Sequence, residues 1–350
     1  MKKTLIGPEL SLKQVMARID ETAEKIVFVV DDSGCLLGVI TDGDVRRWIL
    51  KNSNFECSAS NVMNANPIKL KQNFDFNEAG SEMKKYKIEC LPIVDNENKV
   101  ISALWWTDLF DEKPQLYSQI ALPVVIMAGG RGTRLEPYTK VLPKALIPLG
   151  EKSMLEVIIE KFVNFGCNDF YLSVNYKANM IKAYFKDLEH GYKIEYLEEE
   201  DYYGTAGSLS LFKPKVEGAF FLSNCDILID GNYSDIYSFH RDNNNTITIV
   251  SSMKNFKIPY GIIETGSDGL LKSIKEKPEF DFLVNTGMYI IESSALKYIE
   301  RNRLYHMTEL IETCMAKGEK IGVYPLSEKS WTDIGQMEEL FVTLKKFGVK

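Results

Sequence analysis

The chain has 350 residues, of which 45% are hydrophobic and 26% are charged, and its formal net charge is −7. This composition is typical of a folded globular protein, and the length favours two domains that each bury a hydrophobic core. The negative charge argues against binding to nucleic acid or to an anionic membrane, and because we find neither a membrane-spanning apolar run nor a signal-peptide core, we expect a cytoplasmic protein.

The first third of the chain contains an internal repeat. Residues 28–45 align without a gap with residues 92–109, and the alignment pairs Asp44 with Asp108. Each copy has the pattern of strand, turn, strand and helix start, and each follows a stretch of helically spaced apolar residues. Those residues are Leu12, Val15, Met16 and Ile19 before the first copy, and Phe76, Ala79 and Met83 before the second. Since two copies of one unit can bury each other's apolar faces, the pattern predicts one domain built from two repeats.

This segment resembles a tandem pair of cystathionine β-synthase (CBS) domains, with V-M-N-A-N-P-I at 62–68 as the junction. We place the pair at residues 1–118, with repeats at about 1–62 and 63–118. The polar, proline-containing segment 111–120 predicts the linker to a second domain.

The resemblance to CBS pairs implies a nucleotide effector in a cleft between the repeats, where the aspartate of a Ser/Thr-x-x-Asp element holds the ribose hydroxyls. Thr41 and Asp44 form this element in the first repeat, whereas Trp105 replaces the threonine ahead of Asp108 in the second. Two interpretations remain open: a nucleotide effector held at Thr41, Asp44 and Asp108, or a packing or dimer-forming unit without a ligand. The adjacent cations at positions 46 and 47 either meet a phosphate or are solvated helix charges.

A phosphate-binding loop is predicted directly after the linker. Residues 124–127 form an apolar, β-branched run that suits a buried parallel strand. The glycines and cations that follow let the backbone turn closely around an anion and supply positive charge, as a triphosphate requires. They are Gly129, Gly130 and Gly132, with Arg131, Arg134 and Lys144. The dinucleotide pattern G-x-G-x-x-G fails at Leu135, and no Gly-Lys-Ser/Thr closes a Walker loop.

Alternating helix and strand patterns continue beyond this loop. Ser153 is a suitable N-cap for a helix that ends at Gly166. A strand at 170–174, a helix at about 179–189 and a strand at 194–197 follow. This alternation predicts the α/β class with a mostly parallel sheet, in which ligands bind at the carboxyl ends of the strands.

A second loop of small residues, Y-Y-G-T-A-G-S-L at 202–209, opens a further helix. Its alternative interpretation is an ordinary helix start with Thr205 as the cap. The acidic run 198–201 before it either provides a carboxylate that accepts from the amino edge of guanine or is solvated.

Carboxylates and turn residues end the remaining strands. The apolar strand 219–226 terminates in Asp226, and Asp333 lies in W-T-D-I-G. A buried carboxylate is costly unless it faces a cation or hydrogen-bond donors, so a metal ion is one explanation and turn-capping the other. A hairpin is predicted from Tyr260-Gly261 through a turn at Asp268-Gly269 to Glu276-Lys277-Pro278, and V-N-T-G-M-Y follows at 284–289.

Together these motifs resemble the signature of sugar-1-phosphate nucleotidylyltransferases. The string A-G-G-x-G-T-R-L-x-P-x-T-x-x-x-P-K runs from Ala128 to Lys144 with every fixed position present, and the other motifs follow in the family's order. The resemblance implies a Rossmann-like (GT-A type) nucleotidyltransferase domain over residues 121–350. Its reaction joins a sugar 1-phosphate to the α-phosphate of a nucleoside triphosphate (NTP) and releases pyrophosphate.

The resemblance also implies roles for individual residues. Arg134 and Lys144 would be catalytic, and Asp226 and Asp333 would hold a Mg²⁺ ion. The nucleotide would be bound by Ala128, Gly129, Gly130, Gly132, Thr133, Gly204, Thr205 and Gly207. The sugar phosphate would be bound by Tyr260, Gly261, Glu276, Lys277, Asn285 and Gly287.

A CBS pair fused to such a transferase resembles the guanylyltransferases that make GDP-glucosamine for legionaminic acid, a bacterial surface sugar. GTP and glucosamine 1-phosphate are therefore the expected substrates, although no residue in the sequence identifies the base. Mannose and heptose 1-phosphates are the alternative acceptors. A non-catalytic sensor of nucleotide sugars is the alternative from another functional class. We also expect a homo-oligomer.

Overall fold

The computed structural model describes residues 4–22, 24–52, 57–86, 88–110, 118–213, 217–301 and 303–346. The chain divides into two compact units, Met1–Tyr117 and Ser118–Lys350. Most of the segment predicted as a linker, residues 111–117, lies outside the described residues. Within the described ranges, no helix has the length and apolar character needed to cross a membrane.

The first unit contains the predicted repeat of strands and helices. Its elements are β1 (Leu5–Ile6), α1 (Leu12–Thr22), β2 (Ile26–Val30), β3 (Leu36–Thr41), α2 (Asp42–Asn52), α3 (Ala59–Val62), β4 (Leu70–Lys71), α4 (Phe76–Tyr86), β5 (Cys90–Val94), β6 (Val100–Trp105) and α5 (Trp106–Leu109). The sheets β1-β2-β3 and β4-β5-β6 share one topology, in which a short parallel strand pairs with the first strand of a hairpin.

The two repeats share a core, as the sequence predicts. Phe28 and Val39 of the first repeat belong to the same buried cluster as Cys90 and Val94 of the second. Backbone hydrogen bonds join the copies, for example from the amide of Leu36 to the carbonyl of Asn98 at 2.8 Å. Each repeat therefore covers apolar surface that it cannot bury alone.

One apolar position of the repeat is not buried as the pattern predicts. Phe76 begins α4 but is 59% exposed, whereas Ala79 and Met83 are fully buried. Gly80, which lies next to them, is buried instead, and a Cβ there would approach the ring of Phe110 to 3.1 Å. The buried face of α4 therefore begins one turn later than the pattern indicates.

The second unit is built around a larger sheet. Its strands are β7 (Val124–Met127), β8 (Pro148–Leu149), β9 (Lys152–Ser153), β10 (Asp169–Val174), β11 (Lys193–Glu198), β12 (Ala219–Asn224), β13 (Ile227–Ile229), β14 (Ile247–Lys257), β15 (Ile262–Thr265), β16 (Leu271–Lys275), β17 (Glu279–Glu292), β18 (Ile321–Leu326) and β19 (Trp331–Asp333). Its helices are α6 (Tyr138–Val141), α7 (Met154–Val163), α8 (Ala178–Asp187), α9 (Gly204–Gly207), α10 (Tyr233–Asp242), α11 (Met307–Ala316) and α12 (Met337–Lys346).

Among the described residues, a seven-stranded sheet has the order β11-β10-β7-β12-β17-β14-β18. Neighbouring strands are parallel except where β17 pairs with β12 and β14. The predicted α/β class with a mostly parallel sheet is therefore confirmed. Because β7 lies between β10 and β12, the segments that follow these three strands meet at one edge of the sheet.

Local sequence signals set several of these boundaries. Ser153 caps α7: its hydroxyl accepts from the amide of Glu156 at 3.2 Å, and the Glu156 carboxylate accepts from the amide of Ser153 at 2.8 Å. Gly166 has φ +87° just beyond the end of α7, where a left-handed residue is needed. Asp226 differs from its predicted place, because β12 ends at Asn224 and the carboxylate lies in the following turn.

Candidate active site

A cleft of about 660 Å³ opens where β7, β10 and β12 end. Its walls bring together segments that are about 100 residues apart in the chain. The predicted residues that line it are Gly129, Gly130, Gly132, Thr133, Arg134, Lys144, Gly204, Thr205 and Asp226. Ala128 and Gly207, which were predicted with them, are buried and are not part of the described lining.

The glycines after β7 leave space that side chains would fill. Gly132 has φ +67°, and a Cβ there would lie 2.9 Å from side-chain carbons of both Thr139 and Lys144. A Cβ on Gly129 would lie 2.9 Å from Oε1 of Glu199, whereas one on Gly130 would meet nothing within 4 Å. The loop is thus packed tightly against the protein at two glycines and opens to the cleft at the third.

Two cations converge on one carboxylate beside this loop. Lys144 Nζ forms an ion pair with Oδ2 of Asp226, and their side chains are only 12% and 10% exposed. Arg134 Nη2 lies 3.9 Å from the same oxygen, but its side chain is 61% exposed. Lys144 is therefore fixed by its partner, while most of the Arg134 guanidinium faces solvent and is available to an anion.

Strand pairing brings Asp226 and Asp333 together. β13 and β19 are antiparallel, with Ile227 opposite Asp333, and the amide of Ile334 donates to the carbonyl of Asp226 at 2.7 Å. Gly335 leaves the space between the carboxylates open, because a Cβ there would lie 2.6 Å from Oδ2 of Asp226 and 2.7 Å from Oδ1 of Asp333. The two oxygens therefore lie near each other, on either side of the position that a side chain at 335 would occupy.

These carboxylates suit a hard divalent cation. Within the described residues, no group of three or more His, Cys, Asp or Glu side chains forms a metal cage. Mg²⁺ does not need such a cage, because it commonly takes one or two carboxylates and completes its shell with water and phosphate oxygens. Asp226 and Asp333, as two carboxylates that lie near each other beside Gly335, fit that ion.

Residues near the start of α11 form hydrogen bonds with the second small-residue loop, 202–209. The amides of Ala206 and Gly207 donate to the carbonyl of Tyr305 at 3.0 and 2.9 Å, and Gly204 has φ +79°. The hydroxyl of Thr205 accepts from the amide of Met307 at 3.0 Å. The interpretation of Thr205 as a helix cap is wrong: the N-cap position of α9 is Tyr203.

Glu199 is a cleft residue that the sequence analysis did not assign individually. Its carboxylate accepts hydrogen bonds from the hydroxyl of Ser173 and, at 3.0 Å, from the amide of Tyr203. Burial raises the pKa of the Glu199 carboxyl above its ordinary value. The acidic run 198–201 signalled a carboxylate here, but only the fold shows that Glu199 is the one turned towards Gly129 while Glu198 pairs with Lys182.

Asn285 and Gly287 form an irregularity in the long strand β17. The pairing with β14 shifts there, since Val250 lies opposite Met288 and Ser251 lies opposite Asn285. Oδ1 of Asn285 accepts from the amide of Gly287 at 3.0 Å. Gly287 has φ +87°, and a Cβ there would overlap the side-chain amide of Asn224, which lines the cleft. A bulge therefore brings this motif beside the cleft.

The remaining predicted sugar-site residues lie on the hairpin β15–β16 and its ends. Tyr260 is 74% exposed, and Gly261, Glu276 and Lys277 are exposed too. None of them is among the described residues that line the cleft. Lys277 has φ +44°, an unusual conformation for a lysine. The structure thus confirms the hairpin but leaves the contribution of these four residues as a prediction.

In the first unit, Asp44 already has partners. Its Oδ2 accepts from the amide and hydroxyl of Thr41 at 2.9 and 2.6 Å, and its Oδ1 forms an ion pair with Arg47. Arg46 pairs with Asp42 on the same helix. In the second repeat, Asp108 accepts from the amide of Trp105 at 2.7 Å. A ribose at Asp44 would have to share or replace the contact with Arg47, so both interpretations of this element stay open.

Comparison with known proteins finds matches to two families in the chain. The sequence model described as nucleotidyl transferase matches residues 123–347, and the CBS domain model matches residues 3–51 and 59–104. The mannose-1-phosphate guanyltransferase of Gibberella zeae is 32% identical over 225 residues, which are 61% of this chain and 61% of that protein. The mannose-1-phosphate guanylyltransferase catalytic subunit beta of Drosophila pseudoobscura pseudoobscura is 31% identical over 223 residues, covering 61% of this chain and 59% of that protein.

The chain thus spans about three fifths of the length of these curated relatives. A solved structure, HddC from Yersinia pseudotuberculosis, superposes with a TM-score of 0.51 at 22% identity and covers 65% of this chain and 99% of that one. At that identity the superposition supports the fold alone.

Proposed function

Because the chain belongs to the nucleotidyl transferase family, we propose that it transfers a nucleoside monophosphate from an NTP to a sugar 1-phosphate. The observation that carries this proposal is the cluster of Lys144, Arg134, Asp226 and Asp333 beside the glycine loop. Cations and metal-binding carboxylates next to exposed backbone amides are what phosphoryl chemistry requires.

The reaction needs alignment and charge neutralisation more than covalent chemistry from the protein. An oxygen of the sugar 1-phosphate attacks the α-phosphorus, a P–O bond forms, and the bond to pyrophosphate breaks. The attacking phosphate is already ionised near neutral pH, so no general base is required. In this proposal the exposed guanidinium of Arg134 binds the leaving pyrophosphate, and Lys144 faces the α-phosphate.

Asp226 and Asp333 would hold Mg²⁺, which when bound supplies positive charge to the phosphate oxygens. The ion pair between Lys144 and Asp226 orients the lysine along the wall of the cleft. The glycines of the loop place no side chains where the triphosphate would bind. The backbone amides of the loop can therefore donate hydrogen bonds to it.

We propose guanine as the base. The relatives named above are mannose-1-phosphate guanyltransferases, and Glu199 supplies chemistry that fits guanine. The Watson–Crick edge of guanine carries two adjacent donors, the ring N–H and the amino group, and a carboxylate can accept both. At the position where guanine has its ring N–H, adenine has a ring nitrogen that only accepts. The lone pair of that nitrogen would face a lone pair of the Glu199 carboxylate.

Replacing Glu199 with glutamine should lower kcat/KM for GTP by roughly 10- to 100-fold, because the amide turns one acceptor into a donor. ATP and UTP should lose much less. Since burial raises the pKa of Glu199, its ionised form is lost as the pH falls through that raised value. Steady-state kinetics with the wild type should therefore show kcat/KM for GTP falling on the acid side, and Glu199→Gln should flatten that limb.

The matched control is Glu200→Gln, which neutralises the adjacent carboxylate in the same cleft wall. It should leave GTP selectivity within about threefold of the wild type, as surface changes usually do. Equal losses for GTP and ATP in Glu199→Gln, or an unchanged acid limb, would show that Glu199 does not read the base.

For the acceptor, the comparisons favour the alternative of the sequence analysis, mannose 1-phosphate, over glucosamine 1-phosphate. Glucosamine 1-phosphate rests on the resemblance of the whole CBS-fused arrangement. The deciding experiment is pyrophosphate release from each of four NTPs with mannose, glucosamine and heptose 1-phosphates. Release with none of them, despite measurable nucleotide binding, would favour the non-catalytic sensor.

We place Lys277 at the sugar phosphate. Lys277→Ala should raise KM for the sugar 1-phosphate or lower kcat by roughly 10- to 100-fold, because a charge-assisted contact is lost. NTP affinity measured by calorimetry should change by less than about twofold, since the contact concerns only the acceptor. Lys275→Ala, on the same exposed hairpin, is the matched control and should be neutral. Loss of NTP affinity with a normal sugar dependence would remove Lys277 from this role.

A further inference from the structure

The three residues that follow β10 contact segments on several sides of the cleft. The amide of Tyr176 donates to the carbonyl of Gly129 at 3.2 Å. The side-chain amide of Asn175 donates to the carbonyl of Glu199 at 2.9 Å. This segment therefore connects the glycine loop with the strand end that carries Glu199.

Tyr176 and Lys177 also hold the turn that lies beyond the glycine loop. The hydroxyl of Tyr176 donates to the carbonyl of Thr139 at 3.1 Å. The ammonium of Lys177 donates to the carbonyls of Lys140 and Val141, both at 2.6 Å. These carbonyls belong to the last two residues of α6. The last carbonyls of a helix have no hydrogen-bond donors within the helix itself. Lys177 thus supplies the positive charge and the donors that this helix end lacks.

The backbone of Lys177 is held in a conformation that lysine seldom adopts. Its φ is +53° and its ψ is +33°, in the left-handed region. An L-residue with a Cβ is less stable there than in the right-handed region, so surrounding contacts must maintain it. The two hydrogen bonds from its ammonium are contacts of that kind, and they depend on the side chain.

The turn held in this way is continuous with the catalytic cations. The hydroxyl of Thr139 donates to the carbonyl of Gly132 at 3.0 Å, which ties α6 to the glycine loop. Arg134 lies before α6 in the chain, and Lys144 follows its last residue by three positions. Displacement of α6 would therefore change the positions of both cations.

We infer that Tyr176 and Lys177 are positioning residues that latch α6 and thereby hold Arg134 and Lys144 where the triphosphate binds. Neither side chain has to touch the substrate, since each acts through carbonyls of residues 139–141. The inference rests on the proposed function only for the identity of the ligand, a triphosphate. The hydrogen bonds of Tyr176 and Lys177 that form the latch are present in the protein without a ligand.

The test compares Lys177→Met with Lys177→Arg in the full chain. The methionine variant should lower kcat/KM for GTP by roughly 10- to 100-fold, because a displacement of about 1 Å at catalytic groups has effects of that size. KM for the sugar 1-phosphate should stay within about twofold, since the acceptor site is not moved. Arginine, which also presents several donors, should restore activity to within about threefold of the wild type.

Hydrogen exchange of the peptide that covers α6 provides a readout independent of turnover. Lys177→Met and Tyr176→Phe should both accelerate exchange there, and the affinity for GTP measured by calorimetry should fall in parallel. Lys140→Met removes an exposed charge of the same turn (68% side-chain exposure). It keeps the backbone carbonyl that accepts from Lys177, so it should change neither quantity. If the wild type itself transfers nothing, the proposed function fails, while exchange and GTP affinity still test the latch.

Normal exchange and normal GTP affinity in a folded Lys177→Met protein would overturn the inference. So would a Lys140→Met variant that is damaged equally. Should Lys177→Met fail to fold, Tyr176→Phe decides: it removes one oxygen, and the inference is wrong if that variant binds GTP and exchanges like the wild type.

Discussion

If the proposed function is correct, Asp226→Asn is expected to lower turnover by roughly a thousandfold or more, because it removes a charge proposed to hold Mg²⁺ together with the ion-pair partner of Lys144. The carboxylate faces Lys144 in an almost buried pair and shares the gap at Gly335 with Asp333. Asparagine keeps the size of the side chain, so the substitution itself creates neither a cavity nor a steric clash in the turn after β12. Steady-state kinetics with GTP and the preferred sugar 1-phosphate measure the effect.

Asp333→Asn should produce a comparable loss, and the double variant should be little worse than either single one, because the two carboxylates act as one unit. Asp230→Asn is the matched control. Its side chain is 69% exposed near the same strand, so turnover should remain within about twofold of the wild type. Activity of Asp226→Asn within tenfold of the wild type would contradict the metal assignment, and additive losses would mean that the carboxylates work separately.

The sequence predicted the parts of this site that depend on chain-local patterns. The strand before the glycine loop, the cap at Ser153 and the hairpin around Asp268-Gly269 each follow from a short-range signal. Apolar periodicity and turn residues carry that information within a few positions. The same signals placed Phe76 on a buried face, which is wrong because only tertiary packing decides which turn of α4 is covered.

Short-range sequence signals cannot predict residues whose contacts are far away in the sequence. In the sequence, Glu199 is one of several neighbouring acidic residues. Only the fold shows that its carboxylate lies next to Gly129. The sequence carries no signal for Lys177, since its partners are backbone carbonyls of residues 140 and 141, which no side-chain pattern encodes. Gly335 is the last residue of the motif W-T-D-I-G. The need for a glycine there depends on an oxygen of Asp226, over 100 residues away in sequence.

Gly335→Ala should separate the geometry of the proposed metal site from its charge. A Cβ at this position would lie 2.6 Å from Oδ2 of Asp226, 2.7 Å from Oδ1 of Asp333 and 3.0 Å from Nη2 of Arg134. All three atoms are at the ends of side chains, so they can move aside without displacing the backbone. Gly335 is not among the glycines with positive φ, so alanine fits its backbone conformation. We therefore expect a folded protein whose carboxylates are moved apart.

Turnover of Gly335→Ala should fall by roughly a hundredfold, as expected for ligands displaced by about 1 Å. The apparent affinity for Mg²⁺, titrated at saturating substrates, should fall with it, while the melting temperature changes by no more than a few degrees. Gly191→Ala is the matched control, because a Cβ there would meet nothing within 4 Å. A larger metal ion such as Mn²⁺, which tolerates longer bonds than Mg²⁺, should recover part of the lost rate. A variant with unchanged Mg²⁺ dependence and turnover would show that the gap between Asp226 and Asp333 is not where the metal binds.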